Sequence, residues 1–416
     1  MPFPLVLNVE SARRLAVSSQ QLAGPRPGGD LEGLRHVLRT LRCLQLDPVN
    51  VVARSHLLVL WSRVGGYDPA DLDALLWRER WLFEYWAHAA SIVLAEDFPI
   101  HQVMMRGYPA GRSGYGGRVR DWLEANDGLR QHVLDRLREQ GPLPVGGFDD
   151  HAAVAWESSG WTNGRNVERM LDFLWIQGQI MVAGREGRRR HWDLAERWLP
   201  QWVDGEPLSQ EEAVSLAAEH ALRALGVARV ADIERHFTRA RYPGLDGVLD
   251  RLERSGRILP AEVEGGTERW YVHRDSLVLL ERAWEPRTTL LSPFDNLICD
   301  RERTERLWGF AFRTEMYVPK AKRQYGHYIL PILHGERLIG RLVPRLDRRG
   351  GVLEIEGLFP EAETSADEAT VEAVGRAVAE LGAFVGAREI SYGAKVAEPW
   401  HPAIVDDTHA HELTNR

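Results

Sequence analysis

Two polar residues lie where an apolar helix face should continue. Leucines recur at spacings of three and four residues from Leu31 to Leu41, which predicts an amphipathic helix whose next apolar position is Gln45. Pro48 disfavours the helical conformation for Asp47, so the helix is expected to end just before Asp47. Because extended residues alternate sides, Gln45 and Asp47 would then face the same space. An amide beside a carboxylate in this arrangement is a candidate catalytic pair.

The same residues also allow a structural interpretation. Gln45 could cap the last helical carbonyls, and Asp47 followed by Pro48 is common turn chemistry. Against this, the Asp47 carboxylate would lie beyond a helix C-terminus, where the helix dipole disfavours an anion. Spacing alone leaves both interpretations open.

Composition and charge narrow the class of protein. The chain has 416 residues, 44% hydrophobic and 27% charged, which is ordinary globular composition for roughly two to four domains. A net charge of −8 provides no global cationic field. Two cysteines exclude a disulfide framework, and scattered histidines predict no metal or other cofactor. Without a signal sequence or long apolar run, we expect a cytoplasmic protein with no membrane segment.

An internal repeat organises the middle of the chain. Residues 171–192 and 249–270 match at an offset of 78 positions. Each copy is predicted to form a helix, a turn ending in glycine (Gly178, Gly256) and two strands around a polar loop. A helix followed by a two-stranded ribbon is the second half of a winged helix. The helices expected to complete the two units span 128–140, 151–157, 208–224 and 229–237.

After about residue 285 the hydrophobic pattern changes to period two. Strands are predicted over 314–318, 326–333, 337–343 and 352–359. A helix follows, opened by a capping box at Ser365. We therefore expect a small antiparallel sheet or barrel closed by one helix, with segment 318–326 as the tip of a hairpin.

Basic residues cluster in two places although the chain is acidic overall. The first repeat loop is rich in arginine, whereas the equivalent loop 262–268 contains no basic residue. Wing loops of this kind contact DNA phosphates, and a basic hairpin with an aromatic residue can enter a groove. A solvated turn and the protection of an edge strand are the structural alternatives. The candidate DNA-binding residues are Arg185, Arg188, Arg189 and Arg190 in the loop, and Lys320, Lys322, Arg323 and Tyr325 in the hairpin.

Several separated blocks resemble one known family. These blocks are Gln45-Leu46-Asp47, Ala53 to His56, Asn166 to Glu168, Ser292 to Leu297, and Tyr317 to Gly326. Together, from about residue 10 to 360, they resemble the YcaQ/AlkZ group of bacterial winged-helix DNA glycosylases. The resemblance implies an α+β fold of three tandem winged helices in a C-shape, followed by a small antiparallel β-barrel or sheet with a closing helix. The expected domains are 1–105, 106–205, 206–284 and 285–416.

The resemblance also implies an activity on double-stranded DNA: hydrolysis of the N-glycosidic bond of N7-alkylated purines and unhooking of interstrand crosslinks. The family's catalytic pair is Gln-Φ-Gln in one branch and Gln-Φ-Asp in the other, and this chain matches the second, YcaQ-like branch. Asp47 would stabilise the oxocarbenium-like sugar and accept a proton from the water that Gln45 orients. No lysine is near this pair in sequence, so we expect a monofunctional glycosylase unless Lys320 or Lys322 reaches the abasic sugar.

Two other classes of function stay open from the sequence. A winged-helix transcriptional regulator without catalysis would have a preferred DNA site and would tolerate Asp47→Asn. A non-enzymatic binder of DNA structures would bind lesions without releasing a base. In the glycosylase interpretation the protein is a nucleoid-associated monomer, and His56 is a packed helix residue rather than a catalytic one.

Overall fold

The computed structural model of the protein describes residues 4–111, 113–158, 160, 163–203, 207–238, 241–396 and 400. This part of the chain is a mixed α+β fold in which helices alternate with short strands. Its strands form two three-stranded sheets, one four-stranded sheet and one five-stranded sheet. No helix in the described ranges is both long and apolar enough to cross a bilayer.

The first unit spans residues 31–94 and follows β1 (Leu5–Leu7) and α1 (Val9–Ser19). Its elements are α2 (Leu31–Leu41), β2 (Cys43–Gln45), α3 (Ser55–Val64), α4 (Pro69–Asp73), β3 (Leu82–Trp86) and β4 (Ala90–Leu94). A π-helical turn, Ala74–Arg78, extends α4. Asp30 caps the start of α2, as Asp68 caps α4. The strands are ordered β2-β4-β3, so β2 lies at one edge of the sheet.

The second unit spans residues 114–198 and repeats this strand order. After α5 (Phe98–Arg106), its elements are α6 (Gly114–Ala125), α7 (Asp127–Gln140), β5 (Leu143–Pro144), α8 (Asn166–Ile176), β6 (Ile180–Glu186), β7 (Arg189–Leu194) and α9 (Ala195–Trp198). The sheet order is β5-β7-β6. The helix predicted over 151–157 is absent from the described residues, where Asn126 and Asn166 bond the backbone amides of Val154 and Trp156. These side-chain bonds hold that segment in an irregular conformation.

The third unit spans residues 210–273. Its elements are α10 (Gln210–Leu225), β8 (Val227–Ala228), α11 (Val230–His236), α12 (Leu245–Arg254), β9 (Ile258–Val263) and β10 (Trp270–His273), followed by α13 (Val278–Glu281). The predicted repeat is present, because α8-β6-β7 and α12-β9-β10 are both a helix followed by an antiparallel ribbon. Gly178 and Gly256 adopt φ values of 70° and 69°, which is the left-handed backbone conformation that commonly follows the C-terminus of an α-helix.

The N-terminal segment does not belong to the first unit, contrary to the predicted domain 1–105. Strand β1 pairs in parallel with β9, with Leu5 opposite Ala261, and adds a fourth strand to the third unit's sheet. The buried face of α1, including Leu15, packs in the same hydrophobic cluster as Val272. Burial of this apolar face therefore attaches the start of the chain to the third unit.

The C-terminal region, residues 288–396, contains a five-stranded sheet ordered β11-β12-β13-β14-β15. Its elements are β11 (Thr288–Leu290), α14 (Arg301–Trp308), β12 (Leu330–His334), β13 (Arg337–Asp347), β14 (Val352–Pro360), α15 (Glu368–Phe384) and β15 (Glu389–Val396). The sheet is not wholly antiparallel, because β15 pairs in parallel with β14. Helix α15 covers this sheet, and its N-cap is Asp367 rather than Ser365.

The expected hairpin around residues 318–326 is wrong. Residues 309–329 form a long loop that contains one 3₁₀ turn, Lys320–Lys322, and no strand. The Glu315 carboxylate accepts hydrogen bonds from the backbone amides of Gln324, Tyr325 and Gly326, each at 3.0 Å. Because a side chain rather than a partner strand satisfies these amides, the segment closes as a loop.

Candidate active site

Gln45 and Asp47 lie at the end of an edge strand rather than at the end of a helix. Arg42 adopts a left-handed conformation with φ of 65° and ends α2 at Leu41. The chain then enters β2, where Gln45 pairs with Ser91 of β4. The predicted helix therefore ends five residues too late, and the argument that a helix dipole disfavours Asp47 does not apply.

Asp47 is half-buried just beyond this strand. Its Oδ1 accepts a hydrogen bond of 2.8 Å from the Val49 amide, which is the turn chemistry expected before a proline-containing segment. Burial raises the pKa of Asp47 above its ordinary value, while hydrogen bonds from the Val49 amide and the Tyr317 hydroxyl oppose that rise. The carboxylate is thus held by two donors and protonates at a higher pH than an exposed aspartate.

Asp47 lines a cleft of about 970 Å³ between the first and second units. This volume lies within the range of pockets that hold small organic ligands. The charged residues of its wall are Arg54, Arg165, Arg185, Arg188, Arg189, Arg190, Asp47, Asp73, Glu84, Glu168 and Asp172. A carboxylate and the arginine-rich loop between β6 and β7 therefore face one space.

The four arginines, of which Arg185 lies on β6, Arg188 in the turn and the other two on β7, divide into two pairs. Arg185 donates to both carboxylate oxygens of Glu84, one bond being 2.6 Å, and Arg190 lies 3.7 Å from the same group. Glu84 is buried on β3, so this ion pair joins the first unit to the second. Arg188 and Arg189 are exposed, and the described part of the chain gives them no carboxylate partner. They are therefore the two of these four arginines whose guanidinium groups remain exposed to solvent.

Gln45 does not line the cleft. Its Oε1 lies 3.2 Å from Nε2 of His88, on the side of the strand that faces the third unit. The other imidazole nitrogen, Nδ1, lies 3.0 Å from the His236 carbonyl oxygen, which can only accept a hydrogen bond. Nδ1 of His88 therefore carries a proton, and this bond fixes the ring against which the Gln45 amide rests.

The protonation of His88 determines how the Gln45 amide is held. Burial lowers the pKa of His88, but its contacts with the Cys43 thiol and the His236 carbonyl outweigh burial and raise the pKa above the ordinary value. With Nδ1 protonated, Nε2 can donate to Oε1 of Gln45 only when the ring also carries a second proton, the form that this rise in pKa favours. Sequence reasoning missed His88 because it is 43 residues from Gln45 and belongs to no recognisable motif.

His56 is packed on α3, as the sequence predicts, and it also lines the cleft. Burial lowers its pKa to about 3, with smaller contributions from Arg54 and Arg185. The imidazole is therefore neutral near pH 7 and cannot act as a general acid there.

The basic loop residues are only partly placed as predicted. Lys320 and Lys322 are exposed on the 3₁₀ turn, and the Nε of Arg323 donates to the Val318 carbonyl at 2.8 Å. Tyr325 packs edge-on against Phe359, with 5.3 Å between ring centroids, so it is not free to stack on a base.

Two aromatic residues that the sequence did not single out for the site are better placed. Tyr317 is 72% exposed, and its hydroxyl reaches Asp47. Trp77, on the π-helical turn, is half-buried and lines the cleft. Tyr317 could have been found from its position next to the basic loop, whereas nothing distinguished Trp77 from the other tryptophans.

Comparison with known proteins places the chain in a family. Residues 38–384 match the family described as DNA glycosylase AlkZ-like. The structure is similar to that of the Streptomyces sahachiroi DNA glycosylase AlkZ, with a TM-score of 0.66 over 94% of this chain and 100% of the other. Sequence identity with that structure is 14%, so it supports the fold alone. Because the family match covers most of the sequence and includes the Asp47 region, the chain belongs to the AlkZ-like DNA glycosylases.

Proposed function

We propose that this DNA glycosylase hydrolyses the N-glycosidic bond of N7-alkylated purines and unhooks interstrand crosslinks joined through such purines. The observation that carries the proposal is a half-buried carboxylate, Asp47, facing a cleft of about 970 Å³ together with exposed arginines. The cleft is large enough for a flipped nucleotide. The arginines provide contacts for the neighbouring phosphates.

The chemistry requires an anion and a water molecule but no general acid. Alkylation at N7 gives the purine a positive charge, so the base departs without being protonated. The sugar left behind resembles an oxocarbenium ion, which a nearby carboxylate stabilises. Asp47 would serve this role and then accept the proton of the attacking water.

Gln45 would orient the water or the lesion nucleotide from β2, next to the cleft that Asp47 lines. Its amide is held by His88, so it is already positioned before DNA binds. Since Gln45 lies outside the cleft wall, this role requires the lesion to reach the end of β2, where Gln45 and Asp47 are separated by a single residue.

We also propose a monofunctional reaction. A lyase step needs a desolvated amine as nucleophile. Lys320 and Lys322 are the lysines closest in sequence to Tyr317, which contacts Asp47, and both are exposed. Borohydride trapping of a protein–DNA adduct is the direct check, and an adduct that disappears in Lys320→Ala or Lys322→Ala would replace the monofunctional proposal.

The three units support a proposal for how the protein holds duplex DNA. Each unit has its first strand at an edge and its third strand in the middle, the order seen in β2-β4-β3, β5-β7-β6 and β8-β10-β9. We interpret these units as three winged helices arranged in a C-shape around the duplex. In this arrangement the wing of the second unit, with Arg188 and Arg189, contacts the backbone.

The test is base release from duplex DNA that contains N7-methylguanine. Asp47→Asn should lower the single-turnover rate by about 100- to 10,000-fold, which is the usual effect of losing a catalytic base. Gln45→Ala should also lower it. Asp73→Asn is the matched control, because it makes the same change in another acid of the cleft wall.

The outcomes separate the alternatives. Equal rates for the wild type and Asp47→Asn would remove the proposed mechanism. Binding without release of a base by the wild type would favour a DNA-structure binder. A second experiment uses a duplex with an N7–N7 interstrand crosslink. Separation of the two strands on a denaturing gel would show that the crosslink has been unhooked.

A further inference from the structure

A second group of reactive side chains lies outside the cleft wall, in the second unit. His132 on α7 faces Asp149 and His151, which follow the 3₁₀ turn Val145–Gly147. One nitrogen or oxygen donor atom from each residue lies within 4.8 Å of the others. The two imidazole rings are perpendicular, with centroids 4.5 Å apart. Two imidazoles and a carboxylate thus lie close together, within reach of a shared ion after side-chain rotation.

The protein itself leaves this group unsatisfied. Nε2 of His132 is buried, and it has no hydrogen-bond partner among the described residues. Burying such a nitrogen without a partner is unfavourable. Asp149 and His151 are exposed, and within the ranges that the structure describes neither has a hydrogen bond or ion pair that would compete with a ligand. A bound ion would satisfy all three side chains.

Asp150, which lies between Asp149 and His151, has hydrogen-bond partners within the protein. Both carboxylate oxygens of Asp150 are engaged, one by the Ala152 amide at 3.0 Å and one by the Asn166 side chain at 2.9 Å. Asp150 therefore anchors this segment to the start of α8. Its neighbours on either side, Asp149 and His151, are left to face α7.

We propose that His132, Asp149 and His151 bind a divalent transition-metal ion of the zinc type. Two histidines and one carboxylate form a common three-ligand set for zinc, with water in the fourth position. A hard cation such as Mg²⁺ prefers oxygen ligands throughout. Ligand bonds of about 2.0–2.1 Å place tetrahedral donors roughly 3.4 Å apart, so donors that lie within 4.8 Å of one another must close by at most about 1.4 Å. Asp149 and His151 are exposed and can rotate to do so.

The bound ion would stabilise the local structure and would take no part in the reaction. It would tie the segment that begins at Val145 to α7, and Val145 itself lines the cleft. None of the three ligands belongs to the cleft wall. The ion would therefore limit the motion of one border of the cleft without contacting the DNA base. A metal site here would differ from the sequence-based prediction of no metal.

The test is direct metal binding by the full-length protein after treatment with a chelator. Titration with Co²⁺ should show one equivalent bound with the visible absorption of a tetrahedral site, displaced by Zn²⁺ and unaffected by Mg²⁺. His132→Asn and His151→Asn should each weaken binding by at least about 10-fold, because each removes one of three ligands. His36→Asn is the matched control, since His36 is an exposed helical histidine elsewhere.

The result does not depend on the glycosylase proposal, because the readout is a spectrum and a stoichiometry. Thermal unfolding of each variant without metal checks that the fold is intact, and added Zn²⁺ should raise the unfolding temperature of the wild type more than that of the two ligand variants. The absence of stoichiometric binding by the wild type, or wild-type binding by both ligand variants, would overturn the proposal.

Discussion

Replacing Arg188 and Arg189, the two exposed arginines where β6 turns into β7, tests the proposal that this loop contacts DNA. In Arg188→Ala/Arg189→Ala, two cationic side chains without a carboxylate partner in the described structure are removed from the cleft wall. Each phosphate contact contributes about 0.9 to the slope of log K against log salt, so the double variant should lower the slope by roughly 1.8. At about 0.1 M salt this corresponds to binding weaker by up to about 60-fold, or roughly 2.5 kcal/mol.

The assay is fluorescence anisotropy of a labelled duplex containing the lesion, measured from about 50 to 200 mM salt. The Asp47→Asn background prevents turnover during the titration. The control, Arg138→Ala/Arg376→Ala, removes the same charge from exposed i,i+3 and i,i+4 ion pairs outside the cleft wall. An unchanged slope in the wing variant, or an equal loss in the control, would refute the assignment of this wing to the DNA backbone.

Four further predictions rest on the contacts of Glu84, Asp47 and Gln45. Glu84→Gln should lower the free energy of unfolding by about 3 kcal/mol, because it leaves Arg185 and Arg190 without their buried partner. Chemical denaturation measures this loss. The control is Asp135→Asn in an exposed ion pair, which should lower the free energy of unfolding by at most about 1 kcal/mol. Protonation of Asp47 removes the active carboxylate, and because its pKa is raised, the acid limb of the pH–rate profile should lie above that of an ordinary aspartate. Tyr317→Phe removes a hydrogen bond that lowers this pKa, so the limb should move to still higher pH, whereas Tyr115→Phe in the second unit should leave it in place. His88→Leu should lower the single-turnover rate about 10- to 100-fold by releasing the Gln45 amide, and a further loss when it is added to Gln45→Ala would contradict this positioning role.

The elements that were predictable from the sequence are those specified by neighbouring residues. Helix α2 follows from its leucine spacing, and the repeat of helix and ribbon follows from apolar periodicity together with Gly178 and Gly256. In each case the residues that predict the element lie in the element itself or directly beside it in the sequence. Local patterns of this kind also identified Gln45 and Asp47 as candidates.

The conformation around the catalytic candidates depended on pairing that the local pattern could not show. Leu44 follows Leu41 at helical spacing, yet it is buried just as well on a strand paired with Ile92. The left-handed Arg42 ends the helix there, and such a conformation is uncommon for a residue other than glycine. The partner strand is nearly 50 residues away, so only the folded sheet decides between a helix end and an edge strand.

The β6–β7 ribbon shows why a count of basic residues overstates the number of free cationic side chains. The sequence treats Arg185, Arg188, Arg189 and Arg190 as equivalent, but Glu84 lies 101 residues before Arg185 and takes two of the four. A buried carboxylate keeps its charge only when such partners compensate it, so these two arginines serve the junction between units first. Under the proposed function only Arg188 and Arg189 are left to contact phosphates, so their double variant should already remove the whole contribution of these four arginines to the salt slope.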